Sequence, residues 1–387
     1  MIDELVFAKL TMPVKELQQK CNTEILNVIM RRIKQIKNEP DNSSLAPYDE
    51  DLLAIDNIRR SYEDDMRKKM ASSILDIAML SYEDCADLYE DASRYRYSFD
   101  KNKKLLDLTQ EMITAVVMIY YGLNDNYHAK IRDIKNPNIK LNMPIKQAYE
   151  QVINRAKTAK KSNLDFDTVM TGVERDLIEN SITVPLSGSL GNGYYKTDSA
   201  YESILNQALV ETAQRTYDYV KEELTCDGIE ISAHLAPAPD HAPCQGHQFT
   251  NQNWEFIQSG LDFIDVQGRH YVGFPRQIGT CNCRHLTKPI IIGKTKQTYD
   301  DYTLGRILDA NERGYNTSDG KHYTFYECTQ KLNYFKRQMD KADSGIKLSE
   351  SVGNDNLKMH YEASYSHYKD LYNSFKKQLD IRLYHNN

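Results

Sequence analysis

The chain has 387 residues and a formal charge of −6, from 49 Lys+Arg against 55 Asp+Glu; it has room for roughly two to three domains, and its charge argues against whole-chain attraction to nucleic acid. Its N-terminus, MIDELVFAKL, lacks the basic start and long apolar core of a secretory signal. The longest apolar run, MITAVVMIYY at 112–121, is well short of the ~20 residues of a spanning helix, so a buried helix is expected there and no membrane partner. The cysteines are Cys21, Cys85, Cys226, Cys244, Cys281, Cys283 and Cys328. This odd count favours reduced thiols in metal or structural roles over disulfides.

Residues 1–183 read as a helical region. VKELQQKCNTEILNVIMRRI has helical periodicity, and Pro13 suits the first turn of that helix. EPDNSSLAP at 39–47 is a loop by composition. Leu52, Ile55, Ile58, Tyr62, Met66, Met70, Ile74 and Ile77 then recur at spacings of three and four, one face of a long helix. Further helices are expected at 104–121, 143–162 and 165–180.

Residues 184–225 read as a loop and an amphipathic helix. The glycines of VPLSGSLGNGYY are in the wrong order for a dinucleotide-binding turn, and GKT at 293–295 lacks the preceding glycine of a P-loop. Ser199, with Glu202 three residues on, is the expected cap of the helix that follows. Residues 226–300 then change character. IEISAHL, RHYVGF and KPIIIG read as short strands and WEFIQSGLDFI as a short helix, so this is a compact α+β unit. Residues 301–387 return to helix. Thr324 and Glu327 have capping-box spacing, and Tyr361, Tyr365, Tyr368, Tyr372, Phe375 and Leu379 form a heptad-like seam that fits packing within the chain or against another subunit. The expected fold is therefore mainly α with a small α+β unit, in which long helices flank a His/Cys-rich strand–loop knot.

That knot holds the candidate site. His234, His241, His247, His270 and His285 lie between positions 234 and 285 with Cys244, Cys281 and Cys283, half of the 10 histidines in one short window. His241-x-x-Cys244 and Cys283-x-His285 each offer two ligands, and zinc accepts mixed Cys and His in a tetrahedral site. The same residues also suit a hydrogen-bonded knot without metal. Asp240, Asp262 and Asp265 are the nearest carboxylates, and no acid/base pair can be read from them.

Three stretches carry a resemblance. IEISAHLAPAPDHAPCQG, GTCNCRH and GKHYTFYECTQKLNYFKRQMDK resemble, in that order, motifs of the phage minor capsid protein 2 family, and more distantly the phage Mu F-like head-morphogenesis proteins. The match is clearest over roughly 196–340. His234, Gln245, Gly246, Asn282, Arg284, Tyr326, Glu327 and Gln330 carry over as motif residues, while Ala236 and Ala238 stand where the family has Gly and Arg, and Cys244 and Cys281 where it has Trp. Alignment with the Mu F-like C-x-x-C and C-R-C positions marks His241, Cys244, Cys283 and His285 as ligands of one structural Zn²⁺, with Cys281 as substitute and Arg284 beside the thiolates.

The resemblance implies a virion structural protein without catalytic activity, present in several copies in the phage head and in the host cytoplasm during assembly. It implies contact with portal and capsid proteins in head morphogenesis, DNA packaging or delivery. DNA contact is expected to be weak and salt-sensitive, through RRIKQIK (31–37) and RAKTAKK (155–161). A zinc-dependent hydrolase is the alternative; an open coordination position beside a carboxylate would distinguish it from a closed structural site.

Overall fold

The computed structural model describes residues 2–378, apart from 3, 40–47, 134–137, 163–164, 181, 188–191, 274–277, 280–282, 284 and 317–319. Most of the expected 39–47 loop, and Leu379 of the tyrosine seam, lie outside these residues. The protein is mainly α, with small antiparallel sheets between long helices. Among the described residues no helix is long and apolar enough to cross a membrane.

Helix α1 (Glu4–Asn38) runs through Pro13 instead of starting there. Proline removes the backbone donor that would bond the Lys9 carbonyl, and the neighbouring Leu10 carbonyl accepts from Ser73 Oγ at 2.9 Å. Helices α2 (Tyr48–Ser61) and α3 (Glu63–Glu83) replace the one long helix expected over 52–77. The break falls at Tyr62, where Glu63, Asp64 and Asp65 fill the first turn of α3, a favourable place for negative charge. The expected apolar face is still the buried one: Ile55, Met66, Met70, Ile74 and Ile77 are at most 4% exposed. After α4 (Ala86–Asp91) comes α5 (Lys103–Asn124). Its apolar run is amphipathic, not buried all round: Met112, Val116 and Tyr120 face the core while Met118 is 66% exposed.

Strands β1 (His128–Arg132), β2 (Lys140–Pro144), β3 (Ile182–Leu186) and β4 (Gly193–Lys196) form an antiparallel sheet of order β2-β1-β3-β4. Helices α6 (Ile145–Lys161) and α7 (Phe166–Asn180) connect β2 to β3. The glycine-rich stretch read as a loop is thus flanked by paired strands, with Leu186 opposite Gly193. Ile182, Thr183 and Val184 are β-branched and buried, which suits a central strand. The basic clusters are partly structural: Arg32 is buried and bonded to Asp51, and Lys160 donates to the Ile36 carbonyl near the end of α1.

Strand β4 runs directly into α8 (Thr197–Leu224), so Ser199 does not cap that helix. Thr197 starts it instead, its hydroxyl anchored on Asn22 Oδ1 at 2.9 Å, while Glu202 pairs with Lys15 at 2.9 Å. Helix α8 packs on α1, α3 and α5 and buries side chains around most of its circumference, which makes it the axis of the main core.

The strand unit follows: β5 (Gly228–Ile231), β6 (Gln248–Thr250), α9 (Asn251–Ser259), β7 (Phe263–Ile264), β8 (His270–Tyr271) and β9 (Thr287–Ile290). It has its own apolar cluster, which includes Ile229, Ile231, Phe249, Ile257, Phe263 and Tyr271. Phe263 and Tyr271 stack with ring centroids 5.0 Å apart. Helix α10 (Asp301–Arg313) and a hairpin of β10 (Tyr315–Asn316) and β11 (His322–Tyr323) lead to α11 (Phe325–Val352) and α12 (Asp355–Gln378). The Thr324–Glu327 capping box is present. The tyrosine seam of α12 packs along α11 of the same chain, and Gly345 of α11 leaves the space that the Tyr361 ring fills.

Candidate metal centre

Antiparallel pairing gathers the site. In the sheet of order β6-β5-β9, the end of β5 lies beside the starts of β6 and β9. The 232–247 loop and the 283–286 segment therefore meet at one edge. Their backbones are joined there: Ser232 N–H donates to the Leu286 carbonyl at 2.8 Å, and Gly246 N–H to the Ile231 carbonyl at 2.8 Å. Successive turns carry the loop from Ala238 to His247 and bring His241 inward, where it is fully buried.

Three side chains converge. Cys283 Sγ lies 3.6 Å from His241 Nδ1 and 3.4 Å from His285 Nδ1. All three ligand atoms are within 4.8 Å of one another, and all three residues are buried. A tetrahedral zinc ion, with bonds of about 2.3 Å to sulfur and about 2.0–2.1 Å to nitrogen, places those atoms about 3.5 Å apart. The observed S···N separations match that geometry. The far side of each ring faces an oxygen: His241 Nε2 is 3.7 Å from Asp240 Oδ2, and His285 Nε2 is 3.4 Å from Gln245 Oε1. With Nε2 of each ring turned to an oxygen, both Nδ1 atoms face Cys283, the arrangement that orients metal-ligating histidines.

Cys283 and Cys244 differ. Burial pushes the Cys283 thiol up, but hydrogen bonding from the His241 ring and from the backbone at Gly279 and His285 outweighs it and holds the thiol below its ordinary value. Cys244 is pushed well up by burial, donates to the His241 carbonyl at 3.3 Å and belongs to the apolar cluster. It is not among the three converging residues. Cys281, Asn282 and Arg284 lie outside the described residues.

The other motif residues have distinct places. His234 packs on the His285 ring, with centroids 4.4 Å apart, and its backbone N–H donates to Gln245 Oε1 at 3.1 Å. Gln245 thereby ties both ends of the loop to His285. Gly246 has φ +74°, and a Cβ there would sit 2.3 Å from Leu304 Cδ2, so glycine is what lets α10 close on the loop. His247 turns away to Arg269, at 2.6 Å, and His270 is exposed near Asp262. Asp265 is bonded to Arg269 and Tyr271, and Asp262 accepts from Gly273 N–H at 2.9 Å.

Above the three ligands lies a cavity of about 730 Å³ between the loop, α8 and α11. Tyr326 and Gln330 of the third motif line it, whereas Glu327 is used in the helix cap. The α8 contribution of Ser203, Asn206 and Gln207 is invisible to the motif reading, as are Thr329 and Asn333 on α11. A signal existed: Ser203, Asn206 and Gln207 recur at helical spacing on one side of α8. Ala236 and Ala238 also face the cavity, and among the described residues no charged side chain lines it.

A family model described as phage minor capsid protein 2 matches residues 4–375, far beyond the stretch in which the motifs are recognisable. No curated protein and no solved structure matches the chain.

Proposed function

Because this chain belongs to the phage minor capsid protein 2 family, we propose that it is a virion component bound to the portal and the inner head. There it acts in head morphogenesis, or in packaging and delivery of DNA, through protein–protein contacts and without catalysis. The observation that carries this reading is the family match over 4–375. DNA contact is at most weak and salt-sensitive, given a net charge of −6 and basic clusters already engaged in the fold. The test is co-expression with portal and capsid proteins followed by pull-down, with mass spectrometry of purified particles for copy number. Absence from both mature particles and assembly intermediates overturns it.

The same reading includes a zinc ion held by His241, Cys283 and His285, supported by S···N separations of 3.6 and 3.4 Å. Zinc suits imidazole and thiolate donors, where calcium and magnesium prefer oxygen. Its binding energy is also folding energy, so a chelator should loosen 226–293 before the long helices melt. Elemental analysis of protein purified without added metal checks this; less than about a tenth of an equivalent of zinc rejects it.

A further inference from the structure

We infer that this centre is a three-ligand site whose fourth coordination position opens into the cavity and takes a small monoanion, hydroxide or a carboxylate, from outside the protein. The inference rests on the zinc reading above and concerns its coordination, which that reading leaves open. A closed structural site uses four protein ligands, whereas a site with three keeps a position for an exogenous donor. Among the described residues three ligands converge and Cys244 is not one of them; its Sγ donates to the His241 carbonyl at 3.3 Å. His241, Cys283 and His285 all line the cavity, so an ion between them faces space of about 730 Å³. That volume is ample for a small ligand.

Charge decides the class of ligand. A divalent ion held by one thiolate and two neutral imidazoles keeps one positive charge. Among the described residues the cavity lining contains no Lys, Arg, Asp or Glu to offset it, and Asp240 lies on the far side of the His241 ring. A lone charge in a low-dielectric site is unfavourable, so the occupant that balances it is a monoanion. Asn206 and Gln207 on α8 and Gln330 on α11 supply neutral amides to hydrogen-bond such a ligand's remaining oxygen. Asp240 and Gln245 are already turned to the far sides of the two imidazoles, so they act as positioning residues and not as the fourth ligand.

The experiment uses the full chain loaded with Co²⁺, whose visible spectrum reports coordination, titrated with azide and then with acetate. A sulfur-to-cobalt charge-transfer band is expected, absent in Cys283→Ala. Saturable movement of the ligand-field bands by either anion supports the inference. In Cys244→Ser and Cys281→Ser both the spectrum and its response should persist. Asn206→Trp, which fills the cavity without touching a ligand, should keep the anion-free spectrum and weaken anion binding at least about tenfold. Bands that ignore both anions, or that collapse in Cys281→Ser, mean a fourth protein ligand and overturn the inference while leaving the zinc reading intact. Failure to bind Co²⁺ or Zn²⁺ at all overturns both.

Discussion

In the helical body one apolar cluster draws on residues from Phe7 to Tyr361, whereas the strand unit closes its own smaller cluster between Ile229 and Cys283. The body's long helices, α1 and α8 above all, bring distant segments together by burying continuous faces. The strand unit has short strands and long connections. It relies on backbone pairing, glycine-dependent close approaches at Gly228, Gly246 and Gly273, and polar side chains bonded at its edge. Burial is forgiving of chemistry but sensitive to volume; a polar edge is the reverse. This contrast explains why the candidate site lies at the edge of the strand unit, with the helices acting as its walls.

The strongest test of the contrast compares Ile29→Ala in α1 with Ile257→Ala in α9, both at 0% exposure. Each leaves a cavity and should cost about 2–5 kcal/mol locally. Hydrogen exchange should show Ile29→Ala lowering protection throughout α1 and α8, and Ile257→Ala lowering it only across 228–290. Equal loss everywhere in both variants would make the two regions one cooperative unit and dissolve the comparison.

A second test probes volume sensitivity in the helices. A Cβ on Gly345 would lie 2.5 Å from the Tyr361 ring. Gly345→Ala should therefore destabilise by about 1–3 kcal/mol, although alanine is the better helix former. In a Tyr361→Ala background the same substitution should become neutral or stabilising. Urea denaturation of the four proteins of that cycle gives the answer, and an unchanged sign refutes the packing account.

In the strand unit, Gly246→Ala must adopt φ +74° and meets Leu304. The left-handed conformation alone should cost about 1–2 kcal/mol. Leu304→Ala should relieve the contact but not the conformational part, so rescue is partial; complete rescue in thermal melts would contradict the backbone argument.

The smallest effect concerns pH. Burial and then the Arg269 charge lower the His247 pKa, so the folded state holds this ring neutral. The unfolded chain binds the proton more readily, and stability rises with pH where that is so. The contribution is complete above about pH 6.5 and is lost as pH falls through the lower folded value. The wild-type denaturation midpoint should drop more than that of His247→Gln between about pH 7.5 and 5. Parallel curves would show that the ring does not report burial.

Much of the helical body was legible because periodicity is a local property. The expected helices at 104–121, 143–162 and 165–180 correspond to α5, α6 and α7, and the Thr324–Glu327 box caps α11 as its spacing implies. Ser199 was judged by nearby residues, but a buried bond to a distant helix, Thr197 to Asn22, anchors the start of α8. Cys244 has the expected spacing from His241 but is not among the three residues that converge.

By itself the sequence determined the mainly helical class, the position of the strand unit and the convergence of donor types in one window, since each follows from residue chemistry at short range. Only the tertiary structure decided that His241, Cys283 and His285 meet while Cys244 does not, and that polar faces of α8 and α11 enclose a cavity above them. Those outcomes depend on strand register and helix rotation, which are fixed by contacts between segments far apart in the chain.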